Sequence, residues 1–209
     1  MRTEGTVIEL QKPTPGRSEP AKRSLTIDEE ALAANAAGDW RRALSLLCGA
    51  YQTRIYSHCL RMLRDESLAD DVAQQCFEQA IDGLRTYRGD SSLCAWLLGI
   101  ASHRCLDAIK SKRRHLSHVA PDDGFAEAPA SSPIADEVLD ARLVREALEG
   151  CVGVLAEHTR LAVLLHYHEG LSFEAMAPVL GEKPGTLQAR VARAMPVLRA
   201  CLIGKGVTP

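Results

Sequence analysis

The chain has 209 residues and a formal net charge of −2, from 25 basic and 27 acidic side chains, which excludes a uniformly basic nucleic-acid coat and an acidic tail protein. Hydrophobic residues make up 46% and charged residues 25%, an ordinary globular composition long enough for one domain or two small ones. Aromatic residues are only 4%, which disfavours a β-sandwich and suits helices built on Leu and Ala.

Residues 1–24 are rich in Pro and charge and lack a hydrophobic period, so they read as a flexible tail. That stretch has no apolar core of a signal peptide, and no run anywhere approaches the roughly 20 apolar residues that span a bilayer. The expectation is a soluble cytoplasmic protein. Residues 25–115 read as a chain of helices. Thr26 is followed by Asp28, Glu29 and Glu30, a capping side chain with acids at the positive end of a helix dipole. A long helix follows from Trp40 to Arg64, with Ile55, Cys59, Met62 and Leu63 at helical spacing. The run Asp65, Glu66, Ser67 interrupts it. The next helix places Val72, Cys76, Ala80 and Leu84 on one face. Gly89, Asp90 and Ser91 form a tight polar loop, and Ser92 can cap a helix from Leu93 to about Lys110.

Residues 116–135 contain Pro121, Gly124, Pro129 and Pro133 among acids and serines, the composition of a linker. From 136 to 203 the pattern is again helical, leaving 204–209 as a short tail. Leu161, Leu164, Leu165 and His168 mark one helix, which Gly170 ends. Ser172 caps a short helix carrying Phe173, Met176, Ala177 and Leu180, and Gly181 stops it. A longer helix starts at Thr186, with Leu187, Val191, Ala194 and Leu198 inward. A short helix, a turn containing Gly and a longer helix make a helix-turn-helix pattern.

The outward set of that second helix is Thr186, Ala189, Arg190 and Arg193, with Lys183 just ahead. That arrangement suits a major-groove reader, and it also fits a solvated charged face. Lys183 to Lys205 carries a local +5, whereas residues 122–149 carry a local −6. A second basic cluster, Lys110, Lys112, Arg113 and Arg114, lies where a helix macrodipole favours cations in any case. Trp96, His103, Arg104 and Asp107 offer a flat ring and hydrogen-bonding groups of the kind that single-stranded nucleic-acid sites use. Core packing of Trp96 is the competing reading.

The segment Leu68-Ala-Asp-Asp-Val-Ala-Gln-Gln-Cys-Phe, followed by Tyr87-Arg-Gly-Asp-Ser-Ser-Leu-Cys-Ala-Trp-Leu-Leu-Gly-Ile-Ala, resembles region 2 of the extracytoplasmic-function sigma factors of bacterial RNA polymerase. Residues 161–198, around Glu169-Gly-Leu-Ser-Phe-Glu and Gly185-Thr-Leu-Gln-Ala-Arg, resemble their region 4. The resemblance implies an all-α protein of two small helical domains, with regions 2 and 4 joined by a flexible linker. It implies no catalytic residue, cofactor or metal. Asp70, Asp71, Gln74 and Gln75 would dock on the clamp helices of the polymerase β′ subunit, with Phe77 packed beneath, and region 4 would meet the β flap. Tyr87, Arg88, Asp90, Ser91, Trp96, His103, Arg104, Asp107 and Lys110 would hold the −10 element, capturing a base flipped from the melted strand. Lys183, Thr186, Gln188, Ala189, Arg190 and Arg193 would read the −35 element as duplex. An anti-sigma factor would be the expected regulator.

The chain departs from the family pattern where Lys, Ser, His and Arg are usual along the recognition helix and Gln188, Ala189, Ala192 and Met195 stand instead. Weaker −35 binding with a shallower salt slope is the expectation. Pro178 and Pro196 should kink or shorten their helices. His166 and His168, two apart, point to different sides of a helix and do not suit joint metal ligation. Seven cysteines without any C-x-x-C pair read as reduced thiols rather than a disulfide framework. Two other readings remain at this point: a stand-alone helix-turn-helix regulator, which would need a heptad seam for dimerisation that the sequence does not show, and a scaffold that keeps the fold without binding DNA.

Overall fold

The computed structural model describes residues 18–118 and 137–207, with side chains described for 26–115 and 142–207. Most of the expected tail and linker therefore lies outside the described residues. What is described is helical throughout, with no strand.

In the first half α1 (Ser18–Ala36), α2 (Trp40–Leu63), α3 (Glu66–Gly83) and α4 (Leu93–His118) pack around one core, with a single 3-10 turn at Leu84–Thr86. Helix α1 begins inside the stretch expected to be a tail, so Thr26 lies within a helix and does not start one. The other starts follow the capping chemistry in the sequence. Asp39 accepts from the Arg42 amide at 3.1 Å, Asp65 from Leu68 at 3.2 Å and Ser92 from Ala95 at 3.2 Å. Helix α2 ends at Arg64, whose φ of 57° makes it the one described non-glycine residue in left-handed backbone. Its amide donates to Leu60. The inward rows match the expected faces: Ile55, Cys59 and Met62 of α2, Val72, Cys76 and Ala80 of α3, and Leu84 of the turn are all buried.

In the second half α5 (Glu137–Val154) is followed by α6 (Glu157–Val163), which widens into one π turn over Leu164–His168. The wide turn is closed by the Glu169 amide donating to the Leu164 carbonyl at 3.0 Å. Then come α7 (Phe173–Leu180) and α8 (Pro184–Gly204). Ser172 caps α7 by accepting from the Ala175 amide at 3.1 Å, and Gly181 ends it at φ +66°. Leu187, Val191, Ala194 and Leu198 of α8 all face inward.

Neither proline shortens its helix: α7 runs on through Pro178, and α8 keeps 21 residues through Pro196. Each ring removes one amide, and the carbonyls it releases, those of Glu174 and Ala192, belong to exposed residues where water can take the missing bond. The cysteines are not all reduced: Cys151 of α5 and Cys201 of α8 form a disulfide. The other five are free. Cys59, Cys76 and Cys105 sit in the first-half core as small hydrophobes. Burial pushes the Cys76 thiol up to about 12 and the Cys94 thiol to about 11, so neither is a thiolate at neutral pH.

The disulfide closes a loop with a sequence separation of 50 residues that encloses α6, α7 and most of α8. Loop-closure entropy puts its contribution at about 4 kcal/mol. Reduction, or Cys201→Ser, should lower the unfolding free energy of the second half by an amount of that order and shift its denaturant midpoint down accordingly, followed by equilibrium unfolding. Iodoacetamide mass labelling of the native protein should leave Cys59, Cys76 and Cys105 unmodified.

Candidate nucleic-acid interface

Three exposed surfaces carry the residues singled out in the sequence. On α3 the inward row leaves Asp70, Asp71, Gln74 and Gln75 exposed on the outer side, and Phe77 is buried beneath them. The helix carries Glu66, Asp70, Asp71, Glu78 and Asp82 and no base, so this outer side is uniformly acidic. Gln74 donates to Glu78 at 2.9 Å and stiffens it.

The second surface is the start of α4 with the loop before it. The Tyr87 and Trp96 rings lie 5.4 Å apart between centroids, tilted by 56°, the separation of an interacting aromatic pair. The Tyr87 hydroxyl donates to the Ser91 carbonyl and pins the loop against the helix. Gly83 forms the rear wall. A Cβ there would lie 2.8 Å from Cζ2 of Trp96, so the indole occupies space that any side chain would fill. The sequence gives no sign of this, because a glycine at a helix end reads as a terminator. Arg88 and Asp90 stand exposed on the loop, and His103, Asp107 and Lys110 are exposed along α4. Lys110 lies 3.9 Å from Asp107. Arg104 is half-buried and donates to Gln79 of α3 at 2.8 Å, which fixes its guanidinium beside this surface.

The third surface is the N-terminal part of α8. Lys183 is its N-cap residue and makes no side-chain capping bond, and Pro184 fills the first helical position, where its missing amide costs nothing. Thr186, Gln188, Ala189 and Arg193 are exposed. Arg190 is different. Its two terminal nitrogens reach the two carboxylate oxygens of Glu182 at 2.7 and 2.6 Å, a bidentate pair with both side chains about one-quarter exposed. The local charge of the helix read from Lys183 onward stops one residue short of this acid, so the basic patch is weaker by one cation than the sequence suggests. Arg193 donates from Nε to the Ala189 carbonyl at 3.1 Å and keeps its terminal nitrogens outward.

The two histidines of the π turn have separate roles. His166 bonds the Leu171 carbonyl through Nδ1 at 2.9 Å and stacks on Phe173 at 4.3 Å, bracing the turn before α7. His168 lies 3.8 Å from Glu169.

Comparison with known proteins identifies the family of the chain. The sigma-70 region 2 model matches residues 47–115, and the sigma-70 region 4 model matches residues 145–195. The RNA polymerase sigma-H factor of Pseudomonas aeruginosa is 31% identical over 164 residues, covering 74% of this chain and 83% of that protein. The chain belongs to the extracytoplasmic-function sigma factors. The ECF sigma factor SigK of Mycolicibacterium vanbaalenii is 26% identical over 180 residues, covering 85% of this chain and 91% of that protein. The fold agrees with two solved structures at 23% identity. One is CnrH in complex with the cytosolic domain of CnrY, with a TM-score of 0.62 over 85% of this chain and 98% of that one. The other is the sigma factor RpoE in complex with the anti-sigma factor NepR from Bartonella quintana, with a TM-score of 0.60 over 78% of this chain and 96% of that one. As a sigma factor the protein binds core RNA polymerase and directs it to promoters for transcription initiation. The relatives support this reading over the stand-alone regulator.

The sigma factor's bidentate pair has a measurable signature. Glu182→Ala releases Arg190 to a phosphate, so the log–log salt dependence of duplex binding should steepen by about one unit. Fluorescence anisotropy at several salt concentrations reads this slope. An unchanged slope would mean that Arg190 does not reach DNA once released.

Proposed function

We propose that the three surfaces divide the work of promoter recognition as follows. The acidic side of α3, with Asp70, Asp71, Gln74 and Gln75, docks on the clamp helices of β′, where carboxylates steer the encounter with a basic partner. The Tyr87 and Trp96 pair, with Arg88, Asp90 and Ser91 on the loop and His103, Arg104, Asp107 and Lys110 along α4, receives the melted −10 element. The carrying observation is the fixed geometry of that pair. Unstacking a base costs a few kcal/mol, and a preformed aromatic platform recovers it without ordering side chains at the moment of binding. Lys183, Thr186, Gln188, Ala189 and Arg193 meet the −35 duplex, and Arg190 acts there by positioning the turn through Glu182.

The protein acts by binding and supplies no catalytic group; the polymerase makes the bonds. Its place of action is the cytoplasm. Among the described residues no helix is long and apolar enough to cross a membrane. Region 4 meets the β flap. Control by an anti-sigma factor is supported by the structural neighbour in which the sigma factor RpoE is bound to the anti-sigma factor NepR.

Run-off transcription with purified core polymerase tests the division. Trp96→Ala removes a stacking contact worth about 1–3 kcal/mol, so open-complex formation should fall by about 5- to 160-fold, with duplex binding by the −35 surface intact. Asp71→Ala should weaken binding to core polymerase and leave the DNA affinity of the isolated sigma factor unchanged. Full transcription by both variants would remove the assignment.

A further inference from the structure

We propose that Trp40, with Arg41 beside it, is a second platform for an unpaired base of the melted promoter strand, next to the one formed by Tyr87 and Trp96. The inference rests on the reading of the Tyr87 and Trp96 surface as the seat of that strand, and it lengthens the site by a nucleotide.

The placement follows from the topology of region 2. Helices α1 to α4 pack each against the next through short connections, so the α1–α2 turn and the α3–α4 loop emerge at one end of the bundle. A hydrogen bond ties the two together: Nδ2 of Asn35, at the end of α1, donates to the Leu84 carbonyl at 3.2 Å. The same carbonyl accepts from the Tyr87 amide at 3.4 Å. The α1–α2 turn is itself fixed. Gly38 takes φ +79°, a left-handed conformation that suits glycine, and the amides of Gly38 and Asp39 donate to the carbonyls of Asn35 and Ala34 at 3.0 and 2.9 Å. Asp39 then caps α2, and Trp40 is the first residue of that helix.

Trp40 is one of the chain's two tryptophans and is 42% exposed. Part of its ring closes a groove lined by Leu44, Leu47, Ile81 and Leu84, and the rest meets water. The other tryptophan, Trp96, comes against the residue just before Leu84, since a Cβ at Gly83 would lie 2.8 Å from its Cζ2. The two indoles therefore flank consecutive residues of one turn, whose Cα atoms are ~3.8 Å apart. A single strand lying across this end of the bundle meets both.

The chemistry around Trp40 fits such a strand. Sites for single-stranded nucleic acid combine flat rings for the bases with cations for the backbone. The Arg41 guanidinium carbon stands 4.9 Å from the centre of the Trp40 ring, a cation–π contact. Arg41, Arg42, Arg85 and Arg88 are all exposed at this end. The acids in the same stretches are Asp39, Asp82 and Asp90, and Asp39 is engaged in capping, where it accepts from the Arg42 amide at 3.1 Å. An exposed cation leaves a ring at small cost, so an incoming base takes the place of Arg41 on the indole and the freed guanidinium turns to a phosphate. Stacking accepts any base, so this platform adds affinity and length to the site and leaves sequence preference to the loop.

The competing role for Trp40 is a cover over the groove beneath it, and two substitutions separate the roles. Trp40→Leu keeps an apolar cover and helix propensity but offers no flat face, whereas Trp40→Phe keeps a face for stacking. The test uses holoenzyme assembled from core polymerase and the full chain, with circular dichroism confirming that each variant keeps its helix. Forked promoter DNA carries 2-aminopurine at each unpaired position of the non-template strand in turn, because stacking quenches its emission. Trp40→Leu should weaken binding to the fork by at least about fivefold, the lower end of what one base–aromatic stack contributes. It should also restore emission at a position different from the one that Trp96→Ala restores. Trp40→Phe should stay within twofold of wild type and keep the quenching. If no probe position responds to Trp40→Leu, the platform is overturned whatever the affinity, and Trp40 is a packing group. Quenching lost only on Trp96→Ala would remove the second platform and leave the Tyr87 and Trp96 surface standing. Absence of fork binding and of quenching in the wild-type holoenzyme would count against the reading of that surface and take the second platform with it.

Discussion

Helix α4 has to satisfy three neighbours with one cylinder. Leu97, Leu98, Ala101 and Cys105 face the core of region 2 and are buried. His103, Asp107 and Lys110 point away from that core, and Trp96 is half-buried at its edge, against Gly83. Gly99 lies on the flank between them, where region 4 rests. The helical period of 3.6 residues makes this division possible, because a stripe of apolar residues every three or four positions leaves the rest of the circumference for polar contacts. Burial of a Leu or Phe side chain contributes about 1.5–3 kcal/mol, far more than any exposed contact on the same helix. The core therefore sets the rotation of α4, and the positions of Trp96 and His103 follow from it.

The parts of the fold that depend on this period were open to reading from the sequence. The inward rows of α3 and α8 agree with the spacing, as does that of α2 except for Leu63, which is only half-buried, and the caps at Ser92 and Ser172 agree too. What escaped was long-range. Cys151 and Cys201 meet because α5 and α8 pack side by side, and nothing in a 50-residue separation marks them as partners. Gly83 matters only because an indole from another helix arrives there. Glu169 looked like one acid in a family motif, although it is buried and its partner lies 115 positions away. The start of α1 was missed for a different reason: Pro20 and the charges around it mask helical propensity in a short window.

The candidate site divides in the same way. Exposure of Asp70, Asp71, Gln74 and Gln75 follows from the face of α3 and was legible. The state of Arg190 was not. Its charge counts toward a basic helix in the sequence, but in the fold it is held by both oxygens of Glu182 across the turn. A bidentate pair of this kind fixes geometry more than it adds field, so it orders the turn that aims α8 at the expense of one phosphate contact. That exchange fits a recognition helix in which Gln188, Ala189 and Ala192 already present little charge.

The junction between the halves follows a related logic at larger scale. The buried apolar residues of regions 2 and 4 form one continuous cluster, and polar contacts cross the junction as well: Arg54 with Glu169, Arg160 with Met62, and Arg113 with Glu157. A purely apolar seam would be hard to part, because its stabilisation scales with area and is lost only when the whole surface meets water. Charged groups recover hydration as soon as they separate, which lowers the net cost of opening. Arg160 makes the same point from the side of region 4. Besides Met62 it donates to the carbonyls of Gly153 and Leu155, so it keeps partners inside its own domain when the halves part. A junction to which such groups contribute is definite in geometry, and its polar part is modest in strength.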